Sequence, residues 1–260
     1  MPHVRTMDPR SSPDEARITQ MTENLARAYD EAFFEGLEAG SRRSASVVVP
    51  LVQKVVRPQS VLDVGCGVGA WVAEWINQGV TDVLGLDGEY VDKSMLQIPL
   101  TSFQSTDLRN PFSLGRRFDL VQSLEVAEHL EESCADAFVQ SLVDHADTIL
   151  FSAAIPGQLG KHHVNEQWPS YWAEKFSHFG LKSFDVVRPT IWMDQRVDCW
   201  YRQNTILFSK ESSFDVSDTC IDVVHPEYWE ELNAHPPLRR LPGAFAYAMR
   251  YRLSPLIKRR

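Results

Sequence analysis

Ser60-Val-Leu-Asp-Val-Gly-Cys-Gly-Val-Gly-Ala-Trp71 is the stretch that decides the fold. Val61, Leu62 and Val64 make a short apolar run suited to a strand buried on both faces. Gly65, Gly67 and Gly69 follow at once, and Trp71, Val72, Trp75 and Ile76 then recur at helical spacing until Gly79 offers a stop. Strand, glycine turn and helix, in that order, begin a doubly wound nucleotide-binding unit. The glycines let the backbone approach a ligand closely, and the first N–H groups of the helix point outward towards it.

Gly65, Gly67 and Ala70 also satisfy the looser dinucleotide fingerprint, so the glycines alone admit NAD. Asp63, two positions before the first glycine, discriminates. A carboxylate there does nothing for a phosphate, whereas it favours a ligand that carries an ammonium group, such as S-adenosylmethionine (SAM). Asp-x-Gly-x-Gly-x-Gly at the end of a first strand resembles the nucleotide-binding loop of class I SAM-dependent methyltransferases. The resemblance runs from about Arg43 to Ser209. More narrowly, Ser152 to Trp172, with Val-Asn-Glu-Gln-Trp-Pro-Ser-Tyr-Trp, is similar to bacterial methyltransferases of unassigned substrate, of a glycan or natural-product type.

The pattern predicts an α/β fold with a doubly wound, mostly parallel sheet of seven strands, N-terminal helices and a C-terminal extension. After a polar leader with Pro2, Pro9 and Pro13, a helical stripe from Ile18 ends at Gly40, and a second helix from Ser41 to Val56 carries Pro50 as a kink. Strands are expected at Asp82–Asp87, Ser102–Ser105, Phe118–Leu124, Thr148–Ala154, Leu181–Val187 and Tyr201–Phe208, alternating with helices; by the resemblance the last strand inserts antiparallel. Helices are expected at Glu132–His145 and Ser170–Phe179. The division is 1–40 as leader and first helix, 41–210 as catalytic domain, and 211–260 as a C-terminal segment.

That segment is electrically split. Glu211 to Leu232 holds seven acids and no Lys or Arg, whereas Arg239 to Arg260 holds seven bases and no acid. Setting the basic tail aside takes the net charge from −9 to −16, which argues against broad nucleic-acid binding. Leu241, Phe245, Met249 and Leu253 give the tail an apolar side suited to peripheral contact with an anionic membrane, with docking onto the acidic segment as the competing reading. No apolar run reaches the ~18 residues of a membrane span. Cys66, Cys134, Cys199 and Cys220 show no paired spacing of a zinc knuckle or disulfide framework, and a reducing cytoplasm is the expected location.

For the cofactor, Asp87 lies 20 residues after Gly67 at the end of the second strand, where an acid accepts ribose hydroxyls. The resemblance further implies that Asp107 meets the adenine amino group and Leu108 the ring edge, and that Arg43 meets the methionine carboxylate. Gly65, Cys66, Gly67 and Leu124 complete the cofactor set. For chemistry, candidates must lie beyond the fourth and fifth strands: Glu125, Glu128, His129, His162, His163 and Asn165. Glu125, Glu128 and His129 stand at i, i+3 and i+4, on one face of a helical turn. They read either as a general base held by a glutamate or as a divalent metal site, with Mg²⁺ as an example, completed by His163. A similar Glu-x-x-Glu-His occurs in ubiquinone-pathway O-methyltransferases and small-RNA 2′-O-methyltransferases, where it binds metal. The expected reaction is methyl transfer to an oxygen of a small molecule or glycan. RNA 2′-O-methylation and a non-catalytic SAM-binding module are the alternatives. An NAD-dependent reductase is the less favoured reading, since Asp63 suits an ammonium group rather than a phosphate.

Overall fold

The computed structural model describes residues 39–158, 160–211, 214 and 222–234. The leader, most of the first helical stripe, Cys220 and the basic tail lie outside the described residues, as do the readings made on them. Seven strands form one sheet: β1 (Ser60–Val64), β2 (Asp82–Asp87), β3 (Phe103–Ser105), β4 (Leu120–Leu124), β5 (Thr148–Ser152), β6 (Lys182–Phe184) and β7 (Ile206–Ser209). Their spatial order is β3-β2-β1-β4-β5-β7-β6. All pairings are parallel except those of β7, which runs antiparallel between β5 and β6.

Alternation along the strands divides the interior into two cores. Leu62, Val64, Val121, Ile149, Phe151, Ile206 and Phe208 face one side, where α3 (Ala135–His145) and α4 (Pro169–Ser177) cover them. Val61, Leu120, Leu124, Leu150 and Leu207 face the other. There they meet α1 (39–56), α2 (Ala70–Asn77), α5 (Arg188–Ile191) and α6 (Cys199–Asn204). Burial on both faces explains why the strands read as apolar runs. Gln122 breaks that run, and its Oε1 accepts from Trp75 Nε1 at 2.7 Å, so α2 is fastened to the sheet by a buried polar contact.

Three expectations need correction. Gly40 does not end a helix, since α1 continues through it and through Pro50. The alternation of strand and helix is incomplete: two short 3₁₀ turns, Lys93–Met95 and Leu100–Ser102, stand between β2 and β3, and no helix separates β3 from β4 among the described residues. Tyr201 begins no strand, because Cys199–Asn204 is helix α6. Tyr201, Arg202, Gln203 and Asn204 are consecutive and all buried, which a strand alternating between two faces would not require. Their polar ends find partners only in the helical arrangement: Arg202 Nε donates to Val197 O, and Gln203 and Asn204 reach opposite neighbours.

The last of the described helices, α7 (Pro226–Ala234), packs beyond α6. No described helix is long and apolar enough to cross a membrane.

Candidate active site

In this strand order β1 and β4 are neighbours whose crossovers run in opposite directions, and the crevice at their carboxyl ends is where open α/β sheets bind ligands. A cavity of about 760 Å³ occupies that place. Gly65, Asp87, Tyr90, Asp107, Leu108, Glu125 and His129 are among the residues lining it.

Gly65, Gly67 and Gly69 have φ of 88°, 55° and 90°, so the turn runs through the left-handed region that glycine enters without strain. A side chain on Gly65 would strike Val126, whereas one on Gly67 would enter open space. The Gly65 and Cys66 amides both donate to Leu86 O, at 2.8 and 3.0 Å, which folds the turn back over β2. The Gly67 amide donates to Asp87 Oδ2 at 2.7 Å. Asp87 Oδ1 accepts from the Gly88 amide at 2.7 Å and from the Tyr90 hydroxyl. A hydroxyl already donates to this carboxylate, in the manner expected of a ribose hydroxyl.

Asp63 sits in register with Gln122 of β4, and its Oδ2 is buried without a hydrogen-bond partner among the described residues. Burial pushes its carboxyl up to about 7, with the Gln122 side chain opposing the rise and the Asp87 charge adding to it. A glycine turn open at Gly67, an acid at the end of β2 and a buried carboxylate oxygen without a partner among the described residues would fit a ligand that carries an adenosine and an ammonium group.

The remaining cofactor candidates divide. Asp107 and Leu108 line the cavity. Asp107 is engaged by Arg109, whose Nε and Nη2 donate to its two oxygens at 2.8 Å each, and those bonds lower its carboxyl to about 2. The Cys66 side chain does not face the cavity; it is buried with Val72, Val91, Ile98 and Phe103, and burial pushes its thiol up. Leu124 is packed in the core against α1 and α2 rather than on the lining. Arg43 stands away from the cavity. It pairs with Asp198 and donates from Nε to Arg196 O at 3.0 Å, so the structure does not bring it to the glycine turn.

The acid and histidine cluster forms differently from its linear spacing. Glu125 has φ 55°, and only Ala127–His129 makes a 3₁₀ turn, so the three residues do not share a helical face. Glu125 turns away to be held by two amides: Gln158 Nε2 donates to Oε2 at 2.9 Å and Asn204 Nδ2 to Oε1 at 3.0 Å. Asn204 also donates to Gln158 Oε1 at 2.9 Å, which locks the pair. Glu128 is fully buried, and neither carboxylate oxygen has a hydrogen-bond partner among the described residues. Burial, then the neighbouring Glu125, push its carboxyl well above the ordinary range. Glu125 is raised too, by burial, against the lowering effect of its hydrogen bonds.

The loop after β5 is zipped onto this turn, since the Val164 and Asn165 amides donate to Glu128 O at 2.9 and 3.0 Å. That brings His163 edge-on to His129, with ring centroids 4.9 Å apart, while His163 Nδ1 lies 3.1 Å from Glu166 Oε1. Ligand atoms of Glu128, His129 and His163 all lie within 4.8 Å of one another, and Glu125 is not part of that group. His162 has φ 64° and is exposed. Partial burial lowers the His129 pKa, with His163 adding to the effect, so its imidazole is neutral near pH 7.

Gln158, Asn204 and Tyr90 were missed by sequence reasoning. Nothing local marks Asn204 or Gln158, because they meet Glu125 only through the fold; Tyr90 carries a local signal, a hydroxyl three residues after Asp87.

Residues 18–185 match the family described as a methyltransferase domain. Among solved structures, the chain is similar to the sugar N-methyltransferase KedS8 from Streptoalloteichus sp. ATCC 53650, at 14% identity and a TM-score of 0.54, covering 70% of this chain and 92% of that one. It is also similar to DesVI of Streptomyces venezuelae, at 17% identity and a TM-score of 0.51, covering 72% and 98% respectively. For CalS10 of Micromonospora echinaspora, an amino pentose methyltransferase solved with SAM bound, the values are 16% and 0.50, covering 71% and 97%. No curated protein matches the sequence. With the family profile spanning most of the chain, and the sheet order and glycine turn in place, the protein belongs to the methyltransferase domain family and is a SAM-dependent methyltransferase.

Proposed function

We propose that the protein transfers a methyl group to an oxygen of a small molecule or glycan, and that His129 removes the acceptor proton. The observation that carries this reading is that His129 and Asp87 line one cavity, so a neutral imidazole faces the space beside the ribose acid. When bound, SAM supplies an electrophilic sulfonium methyl. The chain's own part is orientation, exclusion of water and proton removal. Asp87 holds the ribose hydroxyls, Asp63 the ammonium group, and Asp107 with Leu108 the adenine. Glu125, fixed by Gln158 and Asn204, and His163, fixed by Glu166, shape the acceptor side next to His129. Residues 41–210 would form the catalytic domain, with 1–40 and 211–260 appended to it.

A divalent metal is a second reading, favoured by the two orphaned oxygens of Glu128. A carboxyl that is buried and unpartnered gains most from a cation. Glu128, His129 and His163 would hold the ion, which would lower the pKa of an acceptor hydroxyl. Glu125 would stand outside that ligand set. KedS8 and CalS10 are described as sugar N- and amino pentose methyltransferases, so an amine acceptor is the outcome against which oxygen must be tested.

Incubation with methyl-labelled SAM and a panel of sugars and aryl compounds, each as the hydroxyl and the amine form, tests the reading. Label in an acid- and base-stable ether of the hydroxyl form supports it, and label only in amines overturns the choice of oxygen. EDTA that leaves turnover intact removes the metal reading and leaves the base.

A further inference from the structure

Asp87-Gly-Glu-Tyr-Val91 closes β2 with a tight turn, in which the Val91 amide donates to Gly88 O at 3.2 Å. Val91 is buried among Cys66, Val72, Ile98 and Phe103, so both ends of the turn are fixed and Tyr90 is carried back over Asp87. Its ring stays outside the core, 84% exposed. The ring lies so close across Gly88 that a Cβ there would stand 2.2 Å from Tyr90 Cε1, and glycine at that position is what admits it. The hydroxyl end reaches inward and donates to Asp87 Oδ1, on the lining of the cofactor cavity. Partial burial, then the bond to Asp87, push the phenol up, so the hydroxyl keeps its proton and stays a donor.

An ionised carboxylate offers about four acceptor positions, two on each oxygen. The chain fills three of those on Asp87: the Gly67 amide on Oδ2 at 2.7 Å, and on Oδ1 the Gly88 amide at 2.7 Å with the Tyr90 hydroxyl. A ribose diol brings two donors to the single position that is left. The two amides belong to the backbone of the glycine turn and of the strand end, and moving either would undo the cradle. Tyr90 turns on two side-chain torsions, and its exposed ring is free of the core. It is the group that leaves.

We propose that Tyr90 is an internal competitor of the cofactor ribose: its hydroxyl holds Asp87 in the free protein, swings out when an adenosine ligand with a free 2′,3′-diol binds, and so sets the affinity for that class of ligand. The inference rests on Asp87 as the ribose acid. Only molecules with the hydroxyl swung out take the ligand in full, so the apparent dissociation constant is the intrinsic one divided by their fraction. The exchange strands no buried group, since a ribose hydroxyl takes over the Oδ1 position and water meets the released phenol. SAM and S-adenosylhomocysteine carry the same ribose. Tyr90 therefore weakens both alike and limits retention of the spent cofactor.

Tyr90→Phe removes the hydroxyl and keeps the ring, at a position exposed enough to leave the fold intact. Calorimetric titration of S-adenosylhomocysteine into wild type, Tyr90→Phe, Asp87→Ala and the double variant completes a cycle. Tyr90→Phe should bind about threefold or more tightly than wild type. In the Asp87→Ala background the same substitution should change affinity by less than about 1.5-fold, because the hydroxyl has nothing to hold. Stopped-flow mixing should place the gain in the association rate, since the competitor acts on the free protein. Unchanged or weaker binding by Tyr90→Phe, an equal gain in both backgrounds, or a gain confined to the dissociation rate overturns the proposal. Asp87→Ala separates this failure from that of the ribose role. If it weakens binding while Tyr90→Phe changes nothing, only the competitor is lost; if it leaves affinity unchanged, the ribose role falls and the competitor with it.

Discussion

The Gly67 amide donates to Asp87 Oδ2 at 2.7 Å, across 20 residues of sequence. This bond joins the glycine turn to the end of β2, so the two parts of the cofactor cradle form as one unit. It also spends only one carboxylate oxygen on the protein's own turn. The other oxygen is met by the Gly88 amide and by the Tyr90 hydroxyl, the latter a group on an exposed ring that a ligand can displace.

Asp87→Ala should weaken S-adenosylhomocysteine binding by tenfold or more, since hydrogen bonds to a charged group contribute roughly 1.5–3 kcal/mol each. Calorimetric titration reads the change. Asp87→Asn should fall between wild type and Ala, because it still accepts from Gly67. Equal affinity in wild type and Asp87→Ala contradicts the ribose role.

Cofactor affinity should depend on pH through Asp63. Its carboxyl is raised from 3.8 to about 7 in the free protein, and an ammonium group requires the ionised form. Affinity should therefore fall as pH drops through about 7, by up to about tenfold per unit, with proton release on binding below that point. Titration in two buffers of different ionisation enthalpy counts the protons. The stability sign is opposite to that of a salt-bridged acid. A raised carboxyl favours the folded state while protonated, and that contribution is lost as pH rises from about 4 through about 7. Asp63→Asn should abolish both dependences.

Gly65→Ala and Gly67→Ala should separate stability from binding. Both force alanine into the left-handed region at about 1–2 kcal/mol. Gly65→Ala adds a clash, since its Cβ would lie 2.3 Å from Val126 Cγ2, whereas the Gly67 Cβ has no neighbour within 4 Å. Thermal melts should show a larger loss for Gly65→Ala, and binding titrations a loss for Gly67→Ala out of proportion to its stability.

The sheet was legible because burial on both faces leaves continuous apolar runs, as in Ile149-Leu-Phe151, and because Asp63 and the three glycines are adjacent in sequence. α6 was misread because Tyr201 and Ile206-Leu-Phe208 flank a buried polar trio that looks like a strand interrupted by loop residues. The clustering of Glu128, His129 and His163 could be anticipated from elements that share a cleft. Departure of Glu125 from that group could not, because it follows from a positive φ and from Asn204, 79 residues away. Arg43 pairs with Asp198, a partner 155 residues distant that no spacing could reveal.

Asn204→Leu should act on Glu125 without touching the cofactor. The Asn204 amide lowers the Glu125 carboxyl, so its loss should raise that pKa and move the acid limb of the kcat profile to higher pH. Asn204→Asp should not rescue the limb, because a second carboxylate would raise Glu125 further. A pH profile identical to wild type in both variants removes Asn204 and Glu125 from the site.

Single-turnover transfer from methyl-labelled SAM, compared in wild type and His129→Ala alongside S-adenosylhomocysteine affinity, tests the central claim most directly. The account predicts that His129→Ala slows transfer by about 10²–10⁴-fold while cofactor affinity changes by less than about threefold. Transfer at the wild-type rate with intact binding contradicts it, and leaves the Glu125-to-His129 turn with only a structural part in the fold.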